Sequence, residues 1–274
     1  MCIVFCQTDT PKHVLVVAAN RDEFLARPTS SLAWHCPTSD AASSASSKTS
    51  VLSGQDLQSG GTWLGVSVVE DEPSLGLRFA SLTNFTETID RAAASKKPSR
   101  GDLVSTFLTD SPETGVNDFL KTVDAGKDKY AGFNLLIGHV ALDGTVQMGY
   151  VSNRNDQAGR IVRQSSSLIE DGEPNLPSFA LSNSTLDDDS WPKIRTGRQH
   201  FSQAVAQNQS DAGRASRGHT DGDSLAESLY TVLRFVHKLC SSCCSCMTYL
   251  MATHAALLRL TTSSPGSSCG KQSW

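Results

Sequence analysis

The sequence predicts an α+β protein in which strands and helices are gathered into separate runs. Three observations carry this. Short apolar runs, valine-rich at residues 13–19, are too brief for typical helices and read as strands. Apolar residues then switch to helical spacing at Leu103, Val104, Phe107 and Leu108, and again at Val116, Phe119, Leu120 and Val123. Strand-like runs return at 133–137, 146–151 and 160–162, before a second helical region. The order strands, helices, strands, helices excludes alternating βαβ units.

Taken in order, residues 3–5 and 13–19 pair as a hairpin across the turn-like Thr8-Asp9-Thr10-Pro11-Lys12. Asn20 then stands at the strand exit, where loops tend to carry function. Arg27-Pro28 stops regular structure. Residues 38–50 form a Ser/Ala tract expected as a mobile surface loop. The chain re-enters the fold at 51–54, and Gly60-Gly61 leads into a strand. Residues 79–85 are its hairpin partner across the polar loop 70–74. After the two helices, three strands are linked by Asp143-Gly144 and Asn153-Arg154-Asn155. Residues 179–183 form another strand, and helices are expected over 193–205 and 225–236, separated by a polar loop over 207–223. No internal repeat is evident.

A length of 274 residues suits one large domain or two small ones and is enough for a substantial core. A net charge of −4, with no basic stripe, speaks against a nucleic-acid partner. The N-terminus lacks the apolar core of a secretory signal, so the eight cysteines read as reduced thiols. No cofactor is expected, and His13, His35, His139 and His200 are too dispersed to suggest a metal site. Gly60-Gly61 is not a phosphate loop, because Lys-Ser/Thr does not follow at the needed spacing.

Chemistry points first to Cys2. Its small side chain permits removal of Met1, which would leave a thiol and a free α-amine on one residue. The amine, with a reference pKa of about 8, can take the thiol proton. The tetrad Asn20-Arg21-Asp22-Glu23 lies one hairpin away and brings an arginine and an acid within range. The rival reading is an ordinary start codon followed by a buried small residue.

Six blocks, in order, resemble the NRDE family, that of the transport and Golgi organisation protein 2 homologues. They are Cys2; Ala18-Ala19-Asn20-Arg21-Asp22-Glu23-Phe24 with Arg27-Pro28; Gly60-Gly61-Thr62-Trp63-Leu64-Gly65; Leu82-Thr83-Asn84-Phe85; Gly132-Phe133-Asn134-Leu135; and Leu181-Ser182-Asn183 before Trp191-Pro192-Lys193. The blocks cover roughly residues 1 to 235. The resemblance implies a four-layer αββα sandwich similar to N-terminal nucleophile hydrolases. It also implies links to Golgi organisation and secretion, with handling of a small lipid-like, acyl-coenzyme A or haem ligand. Family members are associated with cytoplasm, mitochondria and Golgi, and no reaction is established for them. Cytoplasmic residence, with mitochondrial or Golgi association as alternatives, and at most peripheral membrane contact are therefore expected.

The sandwich is also similar to that of bile-salt and penicillin amidases, which use an N-terminal cysteine. On that analogy Cys2 is the nucleophile of an amidohydrolase or acyltransferase and its own amine the base. Arg21 would hold the thiolate or a substrate carboxylate in its guanidinium fork. Asp22 would orient the α-amine. Asn84 and Asn183, each ending a strand, would donate to a developing oxyanion, where one donor is worth about 3–4 kcal/mol of barrier. Asn20, Glu23 and Trp63 stand as candidate ligand contacts. Each role has a plainer rival: strand-end turn residues for Asn84 and Asn183, an Arg21–Asp22 ion pair, a structural partner in Glu23, and a core anchor in Trp63.

From about Arg234 the chain departs from the family pattern. The final pair of strands and a late arginine block are not found, and residues 236–274 read as a divergent Cys/Ser-rich tail. This suggests an alternative splice end or a shifted reading frame, a sheet edge left unpaired, and an incomplete catalytic site. The cluster Cys240, Cys243, Cys244 and Cys246 also fits a thiolate metal site or palmitoylation. Residues 239–258 carry no Lys, Arg, Asp or Glu, but their many polar side chains make membrane insertion marginal.

Overall fold

The computed structural model describes residues 2–8, 10, 12–23, 26–36, 48–87, 96–154, 160–164, 178–186, 188–210, 221–238 and 246–253. Of Asp22, of the strands at 160–164 and 246–253, and of residues 209–210, 221–224 and 234–238 in the helices, only the backbone is described. In chain order the strands are β1 Ile3–Thr8, β2 Leu15–Asp22, β3 Ala33–His35, β4 Thr49–Ser53, β5 Leu64–Val69 and β6 Leu77–Asn84. Helices α1 Gly101–Thr109 and α2 Val116–Gly126 follow, then β7 Phe133–Val140, β8 Val146–Ser152, β9 Arg160–Gln164 and β10 Phe179–Leu181. Helices α3 Pro192–Ser210 and α4 Asp221–Lys238 precede the last strand, β11 Cys246–Thr253. The protein is thus α+β with antiparallel sheets, and its chain divides into two units.

The first unit is built from Met1–Leu25 and Ile169–Leu258. Its sheet has four strands in the order β10-β1-β2-β11, all antiparallel. Strand alternation sends Ile3 and Phe5 of β1, Val16 and Ala18 of β2 and Ala180 of β10 to one face. There they pack against Ile194, Phe201 and Val205 of α3 and Leu225, Leu229 and Leu233 of α4. Phe5 stacks on Phe201 with ring centroids 5.5 Å apart. The alternate residues Val4, Cys6, Val17 and Ala19 are buried as well, which is why these strands read as continuous apolar runs.

The second unit is built on Ala26–Leu168. Its seven strands form a plain antiparallel meander, β3 to β9 in sequence order. Helices α1 and α2 come between β6 and β7 in the chain and cover one sheet face. Their Leu103, Phe107, Leu108, Phe119 and Leu120 pack on Ala80, Leu82, Leu135, Ile137 and Val151. Gly149 of β8 allows α2 to come close, because a Cβ there would collide with Leu120 Cδ1. Gly61 has φ +67, and a Cβ on it would lie 2.7 Å from the Gly101 backbone at the start of α1. Gly61 is therefore a close-approach point between a loop and a helix start, while Gly60 supplies only its positive φ.

Two arginines tie the loops of this unit. Arg78 on β6 donates to five carbonyls around the end of α1: Phe107 (3.2 Å), Asp110 (3.2 Å), Ser111 (2.8 Å), Pro112 (3.0 Å) and Thr114 (2.7 Å). Arg154, just past β8, donates Nε to Glu87 Oε2 at 2.5 Å and Nη2 to Oε1 at 2.9 Å, while the Gly132 amide donates to Oε1 at 2.9 Å. The Arg154 hydrogen bond, outweighing partial burial, holds the Glu87 carboxyl below the usual carboxylate range. A depressed folded pKa stabilises above the unfolded value of about 4.3 and ceases to do so as pH falls through the folded value. Glu87→Gln should therefore cost about 1 kcal/mol at pH 7 and flatten the fall of Tm below about pH 4. Parallel Tm–pH curves for wild type and variant would count against this.

Several expectations change. β2 does not end at Ala19 but runs through Asn20, Arg21 and Asp22. The reason is β11, which pairs along the whole of β2 with Met247 opposite Arg21 and Thr253 opposite Leu15. The tail, expected to leave an edge unpaired, thus supplies a strand. β3 was not anticipated; its three residues are held by β4. Thr49 and Ser50, assigned to the Ser/Ala tract, belong to β4; residues 38–47 lie outside the described residues, as do Cys240, Cys243 and Cys244. Cys2 and Cys6 are free thiols, but Cys36 is disulfide-bonded, so uniform reduction does not hold. Among the described residues no helix is long and apolar enough to cross a membrane.

Candidate functional site

Cys2 immediately precedes β1 in the first unit and is half-buried. The β1–β2 register begins at Ile3 opposite Asn20, so its next step places Cys2 beside Arg21. The hairpin therefore brings the cysteine and the arginine onto neighbouring positions of one sheet face, as strand alternation requires. Cys6 falls on the same parity but is fully buried, and burial pushes its thiol up, so it stays protonated and inert. Of the two free thiols, Cys2 is the accessible one.

Arg21 is itself buried, and its guanidinium lies 3.6 Å from the Glu23 carboxylate. Among the described side chains of the tetrad, Arg21 pairs with Glu23, which immediately follows β2; the Asp22 side chain, and with it the Arg21–Asp22 pair considered from sequence, lies outside the described residues. Asn20 is buried at the third-last position of β2. Asp22 ends β2 and sits opposite Cys246.

The other side of Cys2 is closed by the chain after β10. The Ser182 hydroxyl donates to the Cys2 carbonyl at 2.7 Å. The Lys193 ammonium reaches the same carbonyl at 3.4 Å. Asn183, 5% exposed, turns its amide oxygen toward Ser182 Oγ at 3.4 Å. One hydroxyl proton serves one acceptor at a time, and the shorter contact to Cys2 takes it. The amide nitrogen of Asn183 is the end an oxyanion role requires. The loop before α3 is tightened by Asp188, which accepts from Ser184 Oγ at 2.6 Å and from the Ser190 amide at 3.1 Å. Those hydrogen bonds hold its carboxyl below the usual range. Pro192 then opens α3, where a missing N–H costs nothing, and the Trp191 carbonyl accepts from the Ile194 amide at 2.9 Å.

Cys2, Arg21 and Asn183 are thus brought to one end of one sheet, with Asn20 beside Arg21 on β2 and Glu23 just beyond it. Asn84 and Trp63 belong to the second unit. Asn84 closes β6 opposite Phe133, half-buried, and alternation places it on the helix-bearing face. Trp63 is 8% exposed, and its carbonyl accepts from the Leu82 amide at 2.8 Å, which suits the core-anchor reading. Ser182 and Lys193 were not singled out from sequence. Both lie inside the Leu181-Ser182-Asn183 and Trp191-Pro192-Lys193 blocks, and that was the available signal. No group of three or more His, Cys, Asp or Glu side chains suited to a metal ion occurs among the described residues.

Comparison with known proteins agrees with these blocks. The family described as Transport and Golgi organisation 2 matches residues 1–255, a span that takes in β11. The chain is similar to the Transport and Golgi organization protein 2 homolog of Bos taurus, 32% identical over 215 residues, 75% of this chain and 64% of that protein. It is 31% identical to the Homo sapiens homolog over 221 residues, 76% of this chain and 66% of that protein. It is 27% identical to the Transport and Golgi organization protein 2 of Drosophila melanogaster over 254 residues, 87% and 74% of the two chains. The chain therefore spans a little under two thirds of the length of the mammalian relatives it matches. With the ordered blocks, the family match and these relatives in agreement, the chain belongs to the Transport and Golgi organisation 2 family.

Proposed function

We propose that this protein acts in transport and Golgi organisation, the processes its relatives are named for, by handling a small anionic amphiphile of the acyl-coenzyme A or haem kind. The observation that supports this reading is the company of Cys2. A half-buried free thiol stands next to two buried cations, Arg21 and Lys193, at one end of a sheet. Buried cations beside an accessible thiol suit a ligand with an apolar body and phosphate or carboxylate charges. Titration of the purified protein with palmitoyl-coenzyme A and with haem tests it, alongside secretion measured in cells lacking the protein. Binding of neither ligand together with unchanged secretion overturns it.

A second reading makes Cys2 a nucleophile. Each unit is one helical layer on one antiparallel sheet, the composition expected of half of an N-terminal nucleophile hydrolase sandwich. With Met1 removed, the α-amine takes the thiol proton and sulfur attacks an acyl carbonyl. The bond to the leaving amine or thiol breaks, that proton goes to the leaving group, and water then cleaves the Cys2 thioester. Asn183 is the donor candidate within the same unit as Cys2. Intact mass should show loss of Met1 and an unblocked Cys2. An electrophilic acyl probe should label the wild type and lose at least about 90% of that labelling in Cys2→Ala. A retained Met1, an acetylated Cys2, or labelling that survives Cys2→Ala sinks the nucleophile.

A further inference from the structure

We infer that Lys193 and Ser182 are positioning residues for Cys2, clamping its carbonyl and setting the geometry and charge around its thiol. The inference rests on Cys2 as the centre of the site. Cys2 immediately precedes β1, whose register with β2 starts at Ile3. Two donors from distant parts of the chain converge on the Cys2 carbonyl: Ser182 Oγ at 2.7 Å, just after β10, and Lys193 Nζ at 3.4 Å, in the first turn of α3. Fixing the carbonyl fixes ψ of Cys2. That in turn fixes where the other two Cα substituents, the amine and the thiol-bearing Cβ, point relative to the sheet.

The two donors differ in what they add. Ser182 contributes a neutral hydrogen bond. Lys193 also brings a positive charge to the residue that carries the thiol, 3.4 Å from its carbonyl. A neighbouring cation favours thiolate over thiol. The Lys193 side chain is itself held in place: it is 6% exposed, and its ammonium sits 5.1 Å from the centroid of the Trp191 ring. On β1 and β2 the other titratable groups are Cys6, protonated by burial, Arg21, which pairs with Glu23 just beyond β2, and Asp22 with Cys246 opposite, while α3 and the loop before it also carry Asp188, Asp189, Arg195, Arg198 and His200. β10 and the two residues after it carry none.

The test is the rate of Cys2 alkylation by iodoacetamide, followed by mass spectrometry of the whole protein between pH 5.5 and 9. Wild type, Lys193→Met, Lys193→Gln, Lys193→Arg and Ser182→Ala are compared, with urea-unfolded wild type as reference and a melting curve for each variant. Cys2 in the folded wild type should react faster than in the unfolded chain. Loss of the charge in Lys193→Met or Lys193→Gln should move the profile about one unit to higher pH, slowing alkylation about tenfold at pH 7. Lys193→Arg should restore the wild-type profile within about twofold, which a merely structural lysine would not explain. Ser182→Ala should slow alkylation about threefold with no shift along the pH axis. If folded Lys193→Gln and wild type share one profile while the wild type outpaces the unfolded chain, the inference fails and the Cys2 site stands. If folded wild type reacts no faster than unfolded chain, both fail together.

Discussion

Arg78→Ala should lower the stability of the second unit by about 3–5 kcal/mol, the largest effect expected of any polar substitution in it. Helix α1 ends at Thr109 without a basic residue in its last turn, and its final carbonyls need donors from elsewhere. Arg78 supplies them, reaching five carbonyls from Phe107 to Thr114 through its two terminal nitrogens. Those nitrogens carry four protons, so at least one proton is shared. The guanidinium also lies 5.2 Å from the Phe107 ring centroid, stacking its apolar face on the core that α1 shares with α2. Removing it leaves a half-buried loop of carbonyls without donors and loosens the α1–α2 connection. A lysine in its place would not rescue, since one ammonium cannot span the five acceptors that a planar fork reaches; Arg78→Lys should lose most of the same stability. Urea unfolding followed by circular dichroism measures both. A loss below about 1 kcal/mol for Arg78→Ala would show that water replaces the arginine without penalty.

Phe201→Ala should cost about 3–5 kcal/mol in the first unit. Phe201 on α3 is fully buried and stacks on Phe5 at the middle of β1. It joins α3 to the strand that Cys2 leads. Among the described residues the sheet there has four strands and two covering helices, so little else there can collapse into the vacancy. Phe201→Leu, which keeps most of the volume, should lose about half as much. Equal melting of wild type and Phe201→Ala would mean that this pair does not organise the core.

Much of the fold was legible because its signals are local. The period of apolar residues in 101–109 and 116–126 marks two helices whatever they pack against. The runs at β1, β2, β6 and β7 are strands buried on both faces, and such strands read as short apolar runs. Hairpin order followed from turn chemistry between them. The end of β2 was not legible. Asn20, Arg21 and Asp22 carry no strand signal of their own; Asn20 also pairs with Ile3 of β1, but the strand continues through Arg21 and Asp22 beside β11, more than two hundred residues away. β11 itself lies in a stretch whose Met, Thr and Cys content gives no clear period. The division into two units, each closed by chain from both sides of a long sequence gap or built as a meander, is likewise a matter of contact and not of composition.

The candidate site divides along the same line. The sequence by itself determined which chemistry was available: a cysteine at position 2, an arginine one hairpin later, and strand-end asparagines. It also determined the family, through short blocks whose order is informative even where each block is weak. Only the tertiary structure decided the partners. It set Arg21 within 3.6 Å of Glu23, placed Asn84 and Trp63 in the other unit, and brought Ser182 and Lys193 onto the Cys2 carbonyl. The physical reason is that residue type and local period report the backbone's own preferences. A hydrogen bond across 191 positions, such as Lys193 to Cys2, exists only once sheet pairing and helix packing have brought the two ends together.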